Sequence, residues 1–138
     1  MTALTLGRAD ALADGTLRHA RAIDAAPLAV VVLDAGGHPV VVKREDGAGI
    51  LRVEIATAKA YGALGMGLSS REIAERAERQ PAFFTSLAAV TGGRLAPAAG
   101  GLLIRDPEGA VIGAIGVSGD TSDVDEACAS AALAIEGE

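Results

Sequence analysis

The stretch from Gly100 to Asp123 restricts what this chain can fold into, because glycines cut it into pieces that suit only strands and tight turns. Gly100-Gly101-Leu-Leu-Ile-Arg105 and Ala110-Val-Ile-Gly113-Ala-Ile-Gly116-Val are apolar, β-branched runs of strand length. Asp106-Pro107-Glu108-Gly109 lies between them as a turn. Proline sets φ at its second position and glycine supplies the left-handed exit. The segment therefore reads as strand, turn, strand, acidic loop and helix. Gly113, Gly116 and Gly119 do not have GxGxxG spacing, and Asp120, Asp123 and Asp125 put carboxylates where a phosphate would sit. These glycines read as a surface for close helix-on-sheet packing.

The rest of the chain supplies what that hairpin needs to be buried. Helix one is expected from Leu6 to Asp24 behind a Thr5 cap, with Leu6, Ala9, Leu12, Ala13, Thr16, Leu17, Ala20 and Ile23 on one stripe. Leu28 to Asp34 is apolar on both alternating faces, as a strand covered on both sides should be. Ala35-Gly36-Gly37 turns the chain, and His38 to Arg44 returns beside it. Helix two, Ile50 to Leu64, is apolar around nearly its whole circumference and should be buried on more than one face. Gly62, Gly65 and Gly67 signal its end.

Ser69 and Glu72 have capping-box spacing, which opens a short third helix to about Ala77. Pro81 to Val90, with Phe83 and Phe84, reads as another short helix, and Thr91 to Ala99 as loop with a short strand. The last helix starts near Ser122, capped by that residue with Asp125 three positions on. The strand count is five. One α+β domain over residues 1–138 follows: an antiparallel five-stranded sheet with helices on its faces.

Composition limits the partners. The net charge is −6 and the chain has two Phe, one Tyr and no Trp. Nucleic acid and anionic membranes call for a basic surface, and single strands also for stacking aromatics, so neither is an expected partner. A core of Ala, Val, Leu and Ile has little bulk per residue, and the second face of helix two points to a homo-oligomer. Cys128 is the lone cysteine and sits on the apolar stripe of the last helix, so it reads as a core residue. Met1 to Arg8 shows no secretory leader, and no apolar run reaches bilayer length, so the expected location is cytoplasmic.

Few residues offer chemistry. Lys59 stands on the nearly all-apolar helix two, where an ammonium must reach solvent, pair, or line a cavity. Asp46, in the loop feeding that helix, and Glu54 within it are the nearest carboxylates. Gly100-Gly101 is bare backbone, able to offer N–H donors to a carboxylate or carbonyl oxygen. The expected site thus joins Lys59, Asp46, Gly100 and Gly101. No HxH or HxxxH spacing and no shared carboxylate joins His19 to His38, so a protein-built metal site is not expected. His38 reads as an exposed turn residue.

Val32-Leu-Asp34-Ala-Gly-Gly-His38, Arg44-Glu-Asp46-Gly-Ala48, Ala58-Lys59-Ala60-Tyr61, Pro97-Ala-Ala-Gly100-Gly101 and Ile112-Gly113-Ala-Ile-Gly116-Val-Ser118-Gly119 together resemble the GlcG/HbpS family. That family includes haem-binding proteins and the C-terminal domain of PduO-type corrinoid adenosyltransferases. The resemblance implies a profilin-like subunit, assembly from dimer to octamer, and haem or another planar tetrapyrrole as ligand in some members. Haem asks the protein for only one or two axial ligands, and His19 is the first candidate. Two function classes stay open. One is a small-ligand-binding protein, with haem as the possible cofactor. The other is a cofactor-free isomerase, hydratase or hydrolase acting on a small carbonyl or carboxylate metabolite. Lys59 and Asp46 would then be its acid–base pair and Gly100-Gly101 its oxyanion site.

Overall fold

A computed structural model describes residues 3–136. Helix α1 (Leu6–Ala22) leads into strands β1 (Ala29–Asp34) and β2 (Pro39–Arg44). Helices α2 (Arg52–Met66), α3 (Ser70–Arg79) and α4 (Pro81–Val90) follow. Strands β3 (Gly101–Arg105) and β4 (Val111–Ser118) and helix α5 (Ser122–Glu136) complete the chain. The sheet is antiparallel throughout, in the order β2-β1-β4-β3. Turn chemistry accounts for the two hairpins, and hydrophobicity for the pairing of the two central strands. β1 and β4 bury almost every residue, which puts them in the middle.

Alternation along β1 divides the core in two. Val30 and Val32 pack with Leu12, Ala13, Cys128 and Ala129 of α1 and α5. Val31 and Leu33 pack with Ala56 and Ala60 of α2 on the opposite face. The result is a three-layer arrangement, α1 and α5 on one side of the sheet and α2 on the other.

The approach of α2 to the sheet depends on glycine. A Cβ at Gly116 would run into the Ala56 carbonyl, and one at Gly101 into the Lys59 carbonyl. Side-chain-free strand backbone therefore lets a thin, alanine-rich helix rest directly on the sheet, as the glycine spacing suggested.

Capping reads as expected at two helices. Thr5 Oγ1 accepts from the Arg8 amide at 3.1 Å, and Ser69 with Glu72 forms a capping box. Other boundaries differ. α1 ends at Ala22, and Asp24 turns the chain with φ 56°. Helix α2 starts later and runs on to Met66, with Gly62 and Gly65 inside it and Gly67 (φ 68°) as the left-handed cap. At α5 the Val124 amide is met by Thr121 Oγ1 at 3.3 Å, and Asp125 turns inward instead of capping.

The expected fifth strand is absent among the described residues. Residues 94–100 form an irregular loop. Gly92 and Gly93 have φ of 65° and 83°, Pro97 lacks a ladder donor, and the Arg94 guanidinium lies 3.8 Å over the Tyr61 ring. The sheet therefore has four strands.

Candidate functional site

Lys59 is buried, as its position on an apolar helix required, but its carboxylate partner is not the expected one. Its Nζ donates to the Val117 carbonyl at 2.9 Å and to Asp125 Oδ2 at 3.1 Å. Asp125 Oδ1 accepts from the Asp120 amide at 2.9 Å. Both charged groups are almost wholly removed from solvent, at 3% and 1% side-chain exposure. Burial pushes the Lys59 ammonium below its ordinary pKa and the Asp125 carboxylate above its own, and their mutual attraction opposes both shifts. The pair ties α2, β4 and α5 together and is closed to a ligand.

The neighbouring glycines belong to that structural role. A Cβ at Gly100 (φ 130°) would lie 2.7 Å from the Val117 carbonyl and 2.8 Å from Lys59 Nζ, so the bare backbone makes room for the ammonium. The Gly101 amide already donates to Ser70 Oγ at 2.7 Å. Asp46 is exposed and lines a surface hollow with Arg21, Pro27, Arg44 and Glu45. The structure thus brings Lys59, Gly100 and Gly101 together without a cavity and places Asp46 elsewhere. His19 is half-buried in the last turn of α1 and lines none of the hollows described here. Cys128 is buried, and that burial pushes its thiol pKa up. Among the described residues, no group of three or more His, Cys, Asp or Glu is placed to hold a metal ion. No helix there is long and apolar enough to cross a membrane.

Three hollows lie around the β1–β2 turn and the C-terminal half of α2. One hollow of about 470 Å³ is lined by Ala3, Leu4, Asp34, Ala35, Gly36, His38 and Ile112. A second, of about 160 Å³, shares Ala35 and Gly36 with it and adds Gly37, Tyr61, Leu64 and Gly65. A third, of about 270 Å³, shares Tyr61 and Gly65 with the second and continues to Met66, Leu87, Val90 and Leu95. The first hollow lies with Leu4 and Ile112 on the α1 and α5 face of the sheet, whereas the second and third share Tyr61 and Gly65 and make one groove on the α2 face, running from the turn to α4. Its walls are largely apolar, with Tyr61 at its centre. The Tyr61 ring rests on the turn, where a Cβ at Gly37 would sit 2.8 Å from Cε2. Arg94 covers the ring as a cation.

In the first hollow, Asp34 organises the turn. Its Oδ1 accepts from the amides of Gly36 and His38, each at 3.0 Å, and lies 3.2 Å from His38 Nδ1. The His38 amide, with smaller help from Gly36 and the imidazole, holds the Asp34 carboxyl below its usual pKa. The sequence carried a signal for this pair, an Asp four residues before a His across Gly-Gly. Asp125 also had one: it shares a helical stripe with buried Cys128, Ala129 and Ala132.

The fold is thus a helix-flanked antiparallel sheet with an apolar groove beside the β1–β2 turn. The chain belongs to the HbpS-like family, described as haem-degrading protein HbpS-like, which it matches over residues 4–134. It is similar to a double mutant of HbpS from Streptomyces reticuli, with 30% identity and a TM-score of 0.86 over 100% of this chain and 90% of that one. It is also similar to PduOC in complex with haem, at 26% identity and a TM-score of 0.86, covering 96% of this chain and 94% of that one. A third similar structure is the ORFY protein of Klebsiella pneumoniae, at 29% identity and a TM-score of 0.86 over 97% and 91% of the two chains. No curated protein matches the chain.

Proposed function

We propose that this protein binds haem or a closely related planar tetrapyrrole in the groove centred on Tyr61. The observation that carries the reading is the apolar groove from Gly37 to Leu87, set on a domain whose relative PduOC forms a haem complex. The residues fit the needs of such a ligand. A tetrapyrrole face needs apolar wall, supplied here by Leu64, Met66, Leu87 and Leu95. Its carboxylate substituents need a cation, and Arg94 stands against Tyr61. Bound haem would supply one-electron and oxygen chemistry. The chain itself contributes binding, exclusion of water from one face, and orientation.

Nothing specific favours acid–base catalysis by Lys59. Its ammonium is sealed by Asp125 and the Val117 carbonyl, and the Gly101 amide is engaged by Ser70. In this reading Lys59, Gly100 and Gly101 hold the frame, while Asp46 and His19 lie away from the groove.

A titration of the full chain with ferric haemin tests the proposal. Saturation at one haemin per chain, with a Soret band distinct from that of free haemin, is the expected result. No spectral change at equimolar concentrations would remove it.

A further inference from the structure

The groove reading leaves open which atom would meet a bound iron, and the groove's own lining supplies an answer that rests on that reading. We propose that Tyr61, through its phenolic oxygen, is the axial ligand of haem bound in the groove, with Arg94 as the positioning residue that holds its ring and offsets the phenolate charge.

Haem iron is held by His, Cys, Met or Tyr side chains. The two hollows of the groove contain Tyr61 and Met66 from that set, and neither a histidine nor a cysteine. Cys128 is sealed in the core on the opposite face of the sheet, and His19 and His38 line neither hollow. Tyr61 lines both hollows, whereas Met66 lines one end.

The Tyr61 ring is fixed while its oxygen is left unengaged. Gly37 takes φ 82° and passes close to one edge of the ring, where a Cβ would sit 2.8 Å from Cε2 and 3.1 Å from Cδ2. The Arg94 guanidinium lies 3.8 Å from the ring centroid, and its Nε donates to the Thr91 carbonyl at 2.9 Å, so its own loop sets where it stands. Among the described residues the Tyr61 hydroxyl makes no hydrogen bond, and no buried side-chain oxygen or nitrogen is left without a partner. This oxygen is therefore open to the groove, although a tyrosine hydroxyl shut into a protein normally finds a partner.

Charge separates the two candidates. A phenol ligates ferric iron as phenolate and releases its proton to solvent. Arg94 is exposed and, among the described residues, has no carboxylate against it, so its charge is available to the negative oxygen that ligation creates. The neutral thioether of Met66 gains nothing from that cation.

The test uses the full chain loaded with ferric haemin. Resonance Raman of the parent complex should show iron–phenolate modes. Tyr61→Phe keeps the ring between Gly37 and Arg94 and removes only the oxygen. It should melt like the parent, lose those modes, and show a higher midpoint potential, because an anionic donor to ferric iron is gone. Tyr61→His should replace the parent spectrum with that of a histidine-ligated haem. Arg94→Gln should keep the phenolate modes but lower the midpoint potential, because a positive charge near the iron is lost. A parent complex without phenolate modes, or a Tyr61→Phe protein with the parent's spectrum and potential, overturns this inference while the groove reading stands. Met66→Leu would then be the variant that changes the spectrum. A parent chain that binds no haemin overturns both. A potential unchanged in Arg94→Gln removes the role given to that residue.

Discussion

At the scale of single residues, the Lys59–Asp125 pair shows both what a sequence reveals and what it hides. An ammonium on an all-apolar helix announces that it needs a partner. The identity of that partner depends on how α2 and α5 meet across the end of β4, and the two residues are 66 positions apart. Proximity in sequence pointed to Asp46, which stands exposed in a loop. The correction changes what a substitution should do. Lys59→Met leaves Asp125 as an uncompensated buried charge, and breaking such a pair costs about 3–5 kcal/mol. The urea midpoint should therefore fall sharply in Lys59→Met. Much of the loss should return in Lys59→Met/Asp125→Leu, because two apolar groups remove the desolvation penalty together. A Lys59→Met protein as stable as the parent would show that the ammonium is not held as described. Asp34 and His38 were legible as a spacing, four positions apart across Gly-Gly, but not as a hydrogen bond. Their bond needs the Gly36-Gly37 turn to close, and turn geometry is a three-dimensional fact.

Among the elements, local chemistry carried the reading well and long-range chemistry carried it poorly. The turns at Gly36-Gly37 and at Pro107-Glu108, the Thr5 cap and the Ser69–Glu72 box all act within four residues, and all are present. The short strand expected within Thr91–Ala99 is not formed, since Gly92 and Gly93 take positive φ and Arg94 is committed to Tyr61 on another element. Helix α2 kept the character its pattern gave it. Ala56 and Ala60 meet the sheet, and Ala58, Gly62 and Ala63 are buried too, yet Val53, Ile55 and Leu64 are only half-buried. Just ahead of it Ile50 and Leu51 are 87% and 62% exposed, and on α4 Val90 is 78% exposed. We propose that a second copy of the chain covers part of this surface, since exposed apolar side chains on a small domain gain by association. Light scattering at micromolar concentration should then give a dimer or larger, and Ile50→Asp/Leu51→Asp should shift it to a monomer of unchanged helix content. A monomeric parent chain would contradict the proposal.

For the molecule as a whole, the structure separates a supporting layer from an open groove. The layer of α1 and α5 and the sealed ion pair hold the sheet, while the turn, the end of α2 and α4 leave a groove open on the other side. Gly65 lets these two roles be tested apart. It lines two of the three hollows, and a Cβ placed on it meets nothing within 4 Å. A side chain there enters the groove without disturbing the core, and replacing a helical glycine costs the helix nothing. The most direct measurement is therefore a haemin titration of Gly65→Phe beside the parent chain, with thermal melts of both. The account predicts a Gly65→Phe protein that melts no lower than the parent and has lost most of its haemin affinity. A Gly65→Phe protein that binds haemin as the parent does, with the same Soret band, would place the ligand outside this groove and contradict the account.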